Sequence, residues 1–478
     1  MITDKSAQLH KNVKTGMLLA SVLLLLCVSA IPLPAQTITL SGKARQRVFE
    51  KVRVKVYADQ FSHLKKTVAE TLTDENGNFS LTFDYPETNY AYLSVELLEG
   101  EFYLVPGGNY QFDIYPDTAQ RGSVYDRLPL QFSLKAGDGG LNDNIMRYNS
   151  MYNTFLLNNF NRIYRSRSLT VIDDFRKSVK ENFAGFNNRY FDTYVNYSLA
   201  QLEWVSKKKS TKTIVSEYFA GKPVRFNNIQ YTDFFRDIFK EYVVTTFYAK
   251  HYNNMVDAVD KGSFKDFDNI LTQDMLLAND RQLRLLILMQ TVAGFYHNPE
   301  FSDKGILKIL QEIKQSGKTA TIRNIAAHYL TKLNHLAPET PAPRFDLPVA
   351  SGKTFSPADF KGQVTIFDFM KTDCKICLAH LDFLKDMSSR MGSKLKIVVL
   401  VYGEHPEKIS FLLKQQGLDW PVLYVGKRTD ILDMYDVKIF PTYILLNPDA
   451  TIGLAPASMA DENLEKEVTR LINKTSNH

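Results

Sequence analysis

The sequence predicts a multidomain protein with an all-β sandwich at the N-terminus, a central α-helical region and a C-terminal α/β domain. Three observations indicate this order: apolar residues alternate with period two in the first part, recur with helical spacing in the middle, and form buried strands between helices at the end. A chain of 478 residues is too long for one core. Hydrophobic residues make up 44% and charged residues 23%, which is ordinary for globular domains.

The charge balance is mild. A net charge of +6 arises from 58 basic and 52 acidic residues, and the densest basic tract is Lys207, Lys208 and Lys209. Nucleic-acid-binding domains concentrate basic residues on one face. The sequence therefore argues against nucleic acid as a partner.

Residues 1–35 have the pattern of an export signal. Lys5, Lys11 and Lys14 precede the apolar run 17–31, and Leu33-Pro34-Ala35 follows it. The run is shorter than the roughly 20 residues that a membrane-spanning helix needs. We therefore expect an exported, periplasmic protein that is cleaved after Ala35, with membrane contact only through this segment if it is retained.

The number and positions of the cysteines limit the roles that they can have in this protein. Of the three cysteines, Cys27 lies in the export signal. Lipidation of Cys27 would require a small residue before it, and Leu26 is a poor match to that requirement. Cleavage leaves Cys374 and Cys377, so the exported protein is not a scaffold stapled by disulfides. The pair remains open to three interpretations: a redox dithiol, a local structural disulfide, or two metal ligands.

Residues 36–136 have the pattern of a β-sandwich module. Five segments have strand composition, and Asp74-Glu75-Asn76-Gly77 and Pro106-Gly107-Gly108 supply turns. The strand segments are TITLSGKA, VRVKVYA, GNFSLTF, YAYLSVELL and NYQFDIY.

Residues 140–336 have helical periodicity. One face of the segment 231–247 is apolar, and the segment 283–295 is apolar nearly all round, as in a buried helix. Tyrosines 148, 152, 190 and 194 favour core packing between helices, with a groove for peptide or glycan as the alternative. The spacing of carboxylates and histidines here indicates neither catalysis nor metal binding.

A proline-rich segment, APETPAP at 337–343, predicts an extended linker. After it, residues 344–478 alternate strands and helices, which predicts a mostly parallel sheet covered on both faces. The strand 364–370 leads through a short turn to Cys374 and Cys377, where a helix begins. A helix N-terminus stabilises a thiolate, so this is a suitable position for a redox dithiol.

Three phrases of this last domain resemble the TlpA/ResA branch of the thioredoxin superfamily, which is related to AhpC/TSA proteins. They are PRFDLPVASGKTFSPADFKGQVTIFDF, the CKIC turn, and VKIFPTYILLNPDATI. The order of β-module, helical region and thioredoxin-like domain is similar to multi-domain exported bacterial members. The resemblance implies that Cys374 is the attacking cysteine and Cys377 the resolving one.

The same resemblance assigns four further residues. Pro441 lies in a cis bond opposite the dithiol, with Phe440 presenting a backbone edge to an extended substrate and Thr442 following it. Asp368, six residues before Cys374, matches the buried acid that removes the proton of the resolving cysteine. An ionisable residue within the apolar strand VTIFDFM favours this role over an ordinary strand position.

The turn departs from the family pattern at two positions. Relatives have tryptophan before the first cysteine and often proline before the second, whereas this chain has Asp373 and Ile376. Lys375 favours a Cys374 thiolate and Asp373 disfavours it. Asp373 is also expected to cap the helix N-terminus.

Rival interpretations of the cysteine pair remain. A structural disulfide closing so short a loop restricts the unfolded chain little, and a zinc site of Cys374, Cys377 and His380 lacks a fourth ligand. We expect His380 and His405 to be a surface and a loop residue. Leu378 after the second cysteine excludes covalent haem attachment.

The sequence thus predicts a periplasmic thiol-disulfide oxidoreductase, a reductase or isomerase, that acts on protein disulfides without a small-molecule cofactor. A membrane thiol-relay electron donor is implied by the resemblance only. The alternative is an exported, non-catalytic binding or adapter protein whose CxxC is structural or binds metal.

Overall fold

The computed structural model describes residues 36–116, 129–165 and 169–476. The predicted export signal, residues 1–35, lies outside the described residues. Among the described residues, no helix combines the length and the apolar character needed to cross a membrane.

The first region consists of eight strands in two four-stranded sheets, with strand orders β4-β1-β7-β8 and β3-β2-β5-β6. Inward-facing side chains of both sheets, such as Leu40 of β1 and Val54 of β2, form one shared hydrophobic core. The strands are β1 Thr37–Ala44, β2 Lys51–Tyr57, β3 Lys65–Leu72, β4 Asn78–Asp84, β5 Asn89–Val95, β6 Leu98–Leu104, β7 Asn109–Ile114 and β8 Phe132–Gly137.

The sequence pattern did not identify strands β3, β6 and β8. Strand β3, KKTVAETL, has no fully buried residue and therefore lacks an apolar face. The segment YAYLSVELL reads as one strand but reverses at Glu96 and Leu97, so that β5 and β6 pair antiparallel. Glu96 has a positive φ of 53°, which apolar alternation does not reveal.

The middle region is helical, as predicted. Its α-helices are Leu141–Phe160, Thr170–Asn182, Arg189–Val205, Thr211–Ile214, Ile229–Val243, Ala249–Asp260, Phe264–Leu271, Arg281–Gly294, Asp303–Ser316 and Ala320–Asn334. The predicted apolar face of helix Ile229–Val243 is buried throughout, and helix Arg281–Gly294 is buried nearly all round. Asn228 caps the first of these two by accepting a hydrogen bond from the backbone N–H of Tyr231.

The tyrosines of the first helices form part of the core. Tyr148 is fully buried and donates a hydrogen bond of 2.8 Å to Ser198 Oγ. Tyr194 is buried as well and donates to Asn149 Oδ1 at 3.0 Å. Their burial supports the packing interpretation over a groove for peptide or glycan.

The last region contains a five-stranded sheet of order β13-β12-β11-β14-β15. Buried clusters cover both of its faces, as predicted. The strands are β9 Leu347–Pro348, β10 Thr354–Phe355, β11 Val364–Lys371, β12 Leu395–Tyr402, β13 Val422–Gly426, β14 Thr442–Leu446 and β15 Ile452–Leu454; the α-helices are Lys375–Met391, Glu407–Gln415, Thr429–Met434 and Leu464–Ser476.

The prediction of a mostly parallel sheet holds for only two of the four strand pairs. Strand β12 pairs parallel with β11 and β13, but β14 runs antiparallel to both β11 and β15. The strand-helix alternation that predicts parallel crossovers does not report the direction in which β14 enters the sheet.

The proline-rich segment 337–343 is bonded to the last region. Glu339 N donates to Ile452 O at 2.7 Å, and Ile452 N donates back to Thr340 O at 2.7 Å. Pro341 forms an isolated antiparallel bridge with Thr451. The segment therefore lies along β15, but the prediction of an extended linker is wrong for residues 337–340, which form a hydrogen-bonded turn.

The β region also contacts the last region directly. Lys427 Nζ lies 2.7 Å from Glu50 Oε1, and Arg53 pairs with Asp433. Leu97, at the β5–β6 reversal, packs against one of the two cores of the last region. Glu96 of the same turn lies 3.9 Å from Lys371, the last residue of β11, so the β5–β6 turn lies close to the segment that leads to the cysteine pair.

Candidate functional site

The cysteine pair lies at the start of helix Lys375–Met391, which we call the dithiol helix. Cys374 and Cys377 form a disulfide with an S–S distance of 2.06 Å. Cys374 is the N-cap, and its Sγ accepts a hydrogen bond of 3.1 Å from the backbone N–H of Cys377. Cys377 is buried, whereas Cys374 is only half-buried. Cys374 is therefore the sulfur that a partner protein reaches more easily.

Asp373 does not cap the helix, contrary to the prediction, because Cys374 occupies the N-cap position. The Asp373 side chain is 73% exposed and lies 3.9 Å from Lys371 Nζ. Lys375 is exposed too. Both side chains flank Cys374 in the chain and lie at the surface around it.

The loop before β14 contacts Cys374. The Phe440–Pro441 peptide bond is cis, as expected, and the carbonyl oxygen of Phe440 lies 3.8 Å from Cys374 Sγ. The Phe440 ring stacks on Tyr402 with centroids 5.8 Å apart. Thr442 is buried and donates a hydrogen bond of 2.7 Å to Ile439 O, within the same loop. The structure thus brings Cys374, Phe440 and Pro441 together.

Asp368 lies within β11 and is 1% exposed. Burial raises its pKa to about 7, because the charged carboxylate loses its solvation. Its Oδ1 atom has no hydrogen-bond partner among the described residues. Such a carboxyl group exchanges protons near neutral pH.

His380 is buried, at 5% exposure, and the prediction of a surface residue is wrong. Its Nδ1 is hydrogen-bonded to the Tyr443 hydroxyl at 3.0 Å, and its Nε2 lies 3.5 Å from Asp461 Oδ1. Burial lowers the pKa of His380, while the charges of Asp461 and Glu462 raise it.

The helical spacing of the sequence contains the signal for this burial. Cys377, His380, Leu381 and Leu384 follow the i, i+3, i+4, i+7 pattern of a buried face, and all four are buried. His405, by contrast, is exposed and lies 3.1 Å from Glu407 Oε1.

The metal interpretation has no support in the described ranges. The two cysteine sulfurs are bonded to each other, and His380 is engaged with Tyr443. Within those ranges no three His, Cys, Asp or Glu side chains are grouped so as to hold a metal ion.

A cleft of about 360 Å³ opens beside Phe440, and both the β region and the last region line it. Its charged lining includes Arg47, Glu50, Glu96 and Lys371. Glu96 Oε2 lies 3.4 Å from Arg47 and 3.9 Å from Lys371. These residues could not be predicted from the sequence, because no local pattern connects residues of the β region with Lys371 and Phe440, which come much later in the chain.

Comparisons with known proteins match the part of the chain that contains the cysteine pair. The AhpC/TSA family model matches residues 338–455. Over 132 residues the chain is 27% identical to the thiol-disulfide oxidoreductase ResA of Bacillus subtilis, covering 27% of this chain and 73% of that protein. The ResA of Bacillus thuringiensis is 27% identical over 125 residues, which cover 26% of this chain and 72% of that protein.

The solved structures that resemble this chain include a thioredoxin-like protein from Bacteroides caccae. It is 18% identical, covers 50% of this chain and 93% of its own, and superposes with a TM-score of 0.30.

Proposed function

Residues 338–455 belong to the TlpA/ResA-like thioredoxin-fold family, and we propose that this protein exchanges disulfides with partner proteins through Cys374 and Cys377. The relatives support an oxidoreductase activity for this part of the chain. One observation carries the proposal: a disulfide at a helix N-terminus whose half-buried sulfur lies 3.8 Å from the backbone carbonyl of Phe440.

The reduced form begins the exchange. The Cys374 thiolate attacks one sulfur of a substrate disulfide, so that a mixed disulfide forms and the other substrate sulfur leaves as a thiolate. The first helical turn stabilises the Cys374 thiolate, since the backbone N–H of Cys377 donates to the sulfur.

Cys377 then resolves the mixed disulfide. Its thiol gives a proton to the carboxylate of Asp368, and the resulting thiolate attacks Cys374 Sγ. The second substrate sulfur leaves as a thiolate, the substrate has gained two electrons, and the enzyme ends as the observed disulfide. A carboxyl group with a pKa of about 7 suits this transfer at neutral pH, because it is available as a base and readily releases the proton again.

Protein disulfides are the substrates that suit this geometry. The backbone of Phe440 borders Cys374 and is placed to pair with an extended segment, as in strand addition. The cleft beside it offers about 360 Å³ and charged side chains for the residues next to the substrate cysteine. Phe440 and Thr442 are the proposed substrate-binding residues, with Asp373 and Lys375 modulating Cys374.

The cellular setting is part of the proposal. We assign the protein to the periplasm, with removal of residues 1–35 after Ala35. A reductase or isomerase there needs electrons from outside the compartment, so we assign a membrane thiol-relay protein as its donor. The chemistry above needs no small-molecule cofactor.

We also propose a division of the chain into domains. It consists of a β-sandwich module over 36–136, a helical domain over 140–336, a proline-rich linker over 337–343 and a thioredoxin-like domain over 344–478. The single core shared by two facing sheets supports the first assignment.

Single-cysteine variants test the proposal in the full chain. With a peptide disulfide as substrate, Cys377→Ser is expected to accumulate a mixed disulfide at Cys374, detected by mass spectrometry, and Cys374→Ser is expected to be inactive. A wild-type protein that reduces neither a peptide disulfide nor 2,2′-dithiodipyridine would contradict the enzyme proposal and favour a binding or adapter protein.

A further inference from the structure

A buried polar pair lies beneath the cysteines and has no part in the exchange steps described above. Tyr443 of β14 is 1% exposed, and its hydroxyl is hydrogen-bonded at 3.0 Å to Nδ1 of His380 in the dithiol helix. The two rings stack with an interplanar angle of 19°. Burying polar side chains in a hydrophobic core costs free energy, so a buried, hydrogen-bonded Tyr–His pair is a candidate for a functional role.

The pair connects the core to the protein surface on one side. His380 Nε2 lies 3.5 Å from Asp461 Oδ1, and the Asp461 side chain is 51% exposed. Asp461 and Glu462 act electrostatically on His380 from the segment before the C-terminal helix. A proton that leaves His380 at Nε2 therefore has a solvent-exposed carboxylate 3.5 Å away to receive it.

The Tyr443–His380 pair also lies on the same face of the sheet as Asp368. Tyr443 and Asp368 are directly opposite each other in the antiparallel pairing of β14 with β11, so their side chains project from the same face of the sheet. The charge of Asp368 raises the pKa of Tyr443 further above the value that burial produces. Cys377 packs in the core on that same face.

We propose that Tyr443 and His380 relay protons between the buried Asp368 and the exposed Asp461. The inference rests on the proposed function, in which Asp368 takes a proton from Cys377 and must pass it to solvent. Asp368 is 1% exposed and therefore has little direct contact with water.

In total, the proposed relay moves one proton from Asp368 to Asp461. The Asp368 carboxyl group gives its proton to the Tyr443 hydroxyl, directly or through one water molecule, and Tyr443 gives its own proton to His380 Nδ1. His380 releases its Nε2 proton to Asp461, and the imidazole changes tautomer without a net change of charge. The reverse sequence supplies a proton when the disulfide is reduced.

The test separates the two chemical steps by stopped-flow kinetics from pH 5.5 to 9, with a peptide disulfide. Attack by Cys374 is measured in the Cys377→Ser background, and resolution is measured with both cysteines present. Tyr443→Phe and His380→Asn are expected to slow resolution about tenfold at pH 7 and to leave attack unchanged. Asp368 is unchanged in both variants, so their resolution rates are expected to keep the inflection that its titration causes.

Matched controls are Tyr424→Phe, which removes a hydroxyl from strand β13 of the same sheet, and His405→Gln, which removes an exposed histidine. Both are expected to leave the two steps within twofold of wild type. Asp461→Asn alters the relay at the surface without changing a core side chain, and we expect about threefold slower resolution from it.

Resolution rates that stay at wild-type values in Tyr443→Phe and His380→Asn would overturn the relay. Equal slowing of attack and resolution would overturn it too, since that pattern belongs to a packing role. Absence of the attack step in the Cys377→Ser protein itself would contradict the proposed function instead.

Discussion

Arg53 of the β region and Asp433 of the last region form an ion pair across 380 positions of sequence. Arg53 is 3% exposed, and Lys55 approaches the same carboxylate at 3.4 Å. The pair lies on the side of the β region that carries the Glu96–Leu97 turn and the cleft beside Phe440. The contact therefore holds one wall of the candidate site in place.

Asp433→Asn is expected to destabilise the protein by about 2 kcal/mol, because it leaves the buried guanidinium of Arg53 without a charged partner. Chemical denaturation of the full chain measures this. Asp430→Asn is the matched control, since Asp430 lies on the same short helix and its ion pair with Arg428 is about half exposed. We expect a change below about 0.5 kcal/mol from the control; equal effects of the two variants would contradict the prediction.

Asp368→Asn is expected to change how stability depends on pH. The folded-state pKa of Asp368, about 7, lies above the ordinary aspartate value of 3.8, so the folded protein binds this proton more tightly than the unfolded chain. The resulting stability is fully present below pH 4, falls as pH rises, and is lost above pH 7.

The loss amounts to about 4 kcal/mol in the wild type. Asp368→Asn lacks this titration, so the oxidised variant is expected to be more stable than the oxidised wild type at pH 8 and similar to it at pH 4. Urea denaturation at a series of pH values checks this. A stability difference that is the same at pH 4 and pH 8 would refute the raised pKa.

Phe440→Ala is expected to lower kcat/KM for a peptide disulfide about tenfold, because the ring lines the cleft and is held by stacking on Tyr402. Turnover of the small disulfide 2,2′-dithiodipyridine is expected to stay within twofold. Phe411→Ala, at an exposed phenylalanine of the same region, is the control. Equal losses for both substrates would place the effect on the cysteines rather than on substrate binding.

Gly305→Ala tests the packing of the helical region. A Cβ at Gly305 would lie 1.7 Å from the carbonyl oxygen of Val259, so the two helices must separate, at a cost of about 3 kcal/mol. Gly294→Ala meets no atom within 4 Å and is expected to stabilise the protein by up to about 1 kcal/mol. Thermal denaturation distinguishes the two, and a neutral Gly305→Ala would show that this helix contact is loose.

Local patterns predicted much of the fold and the centre of the site. Helical spacing identified the buried face of helix Ile229–Val243, and an apolar strand before Cys374 identified the dithiol helix to within one residue. These features are encoded in neighbouring positions, which periodicity and turn chemistry report directly. Strand β3 was missed because its side chains have no buried face to create a pattern.

From the sequence come the positions of Cys374 and Cys377 at the start of a helix, because an apolar strand, a short turn and a CxxC are local patterns; the cis bond at Pro441 was implied by the resemblance to TlpA/ResA-like proteins. Tertiary structure alone decided the surroundings. It buried His380 against Tyr443, and it placed Glu96 between Arg47 and Lys371 beside Phe440. Those contacts join residues far apart in the chain, and their energies depend on burial and distance, which exist only once the strands and helices have packed.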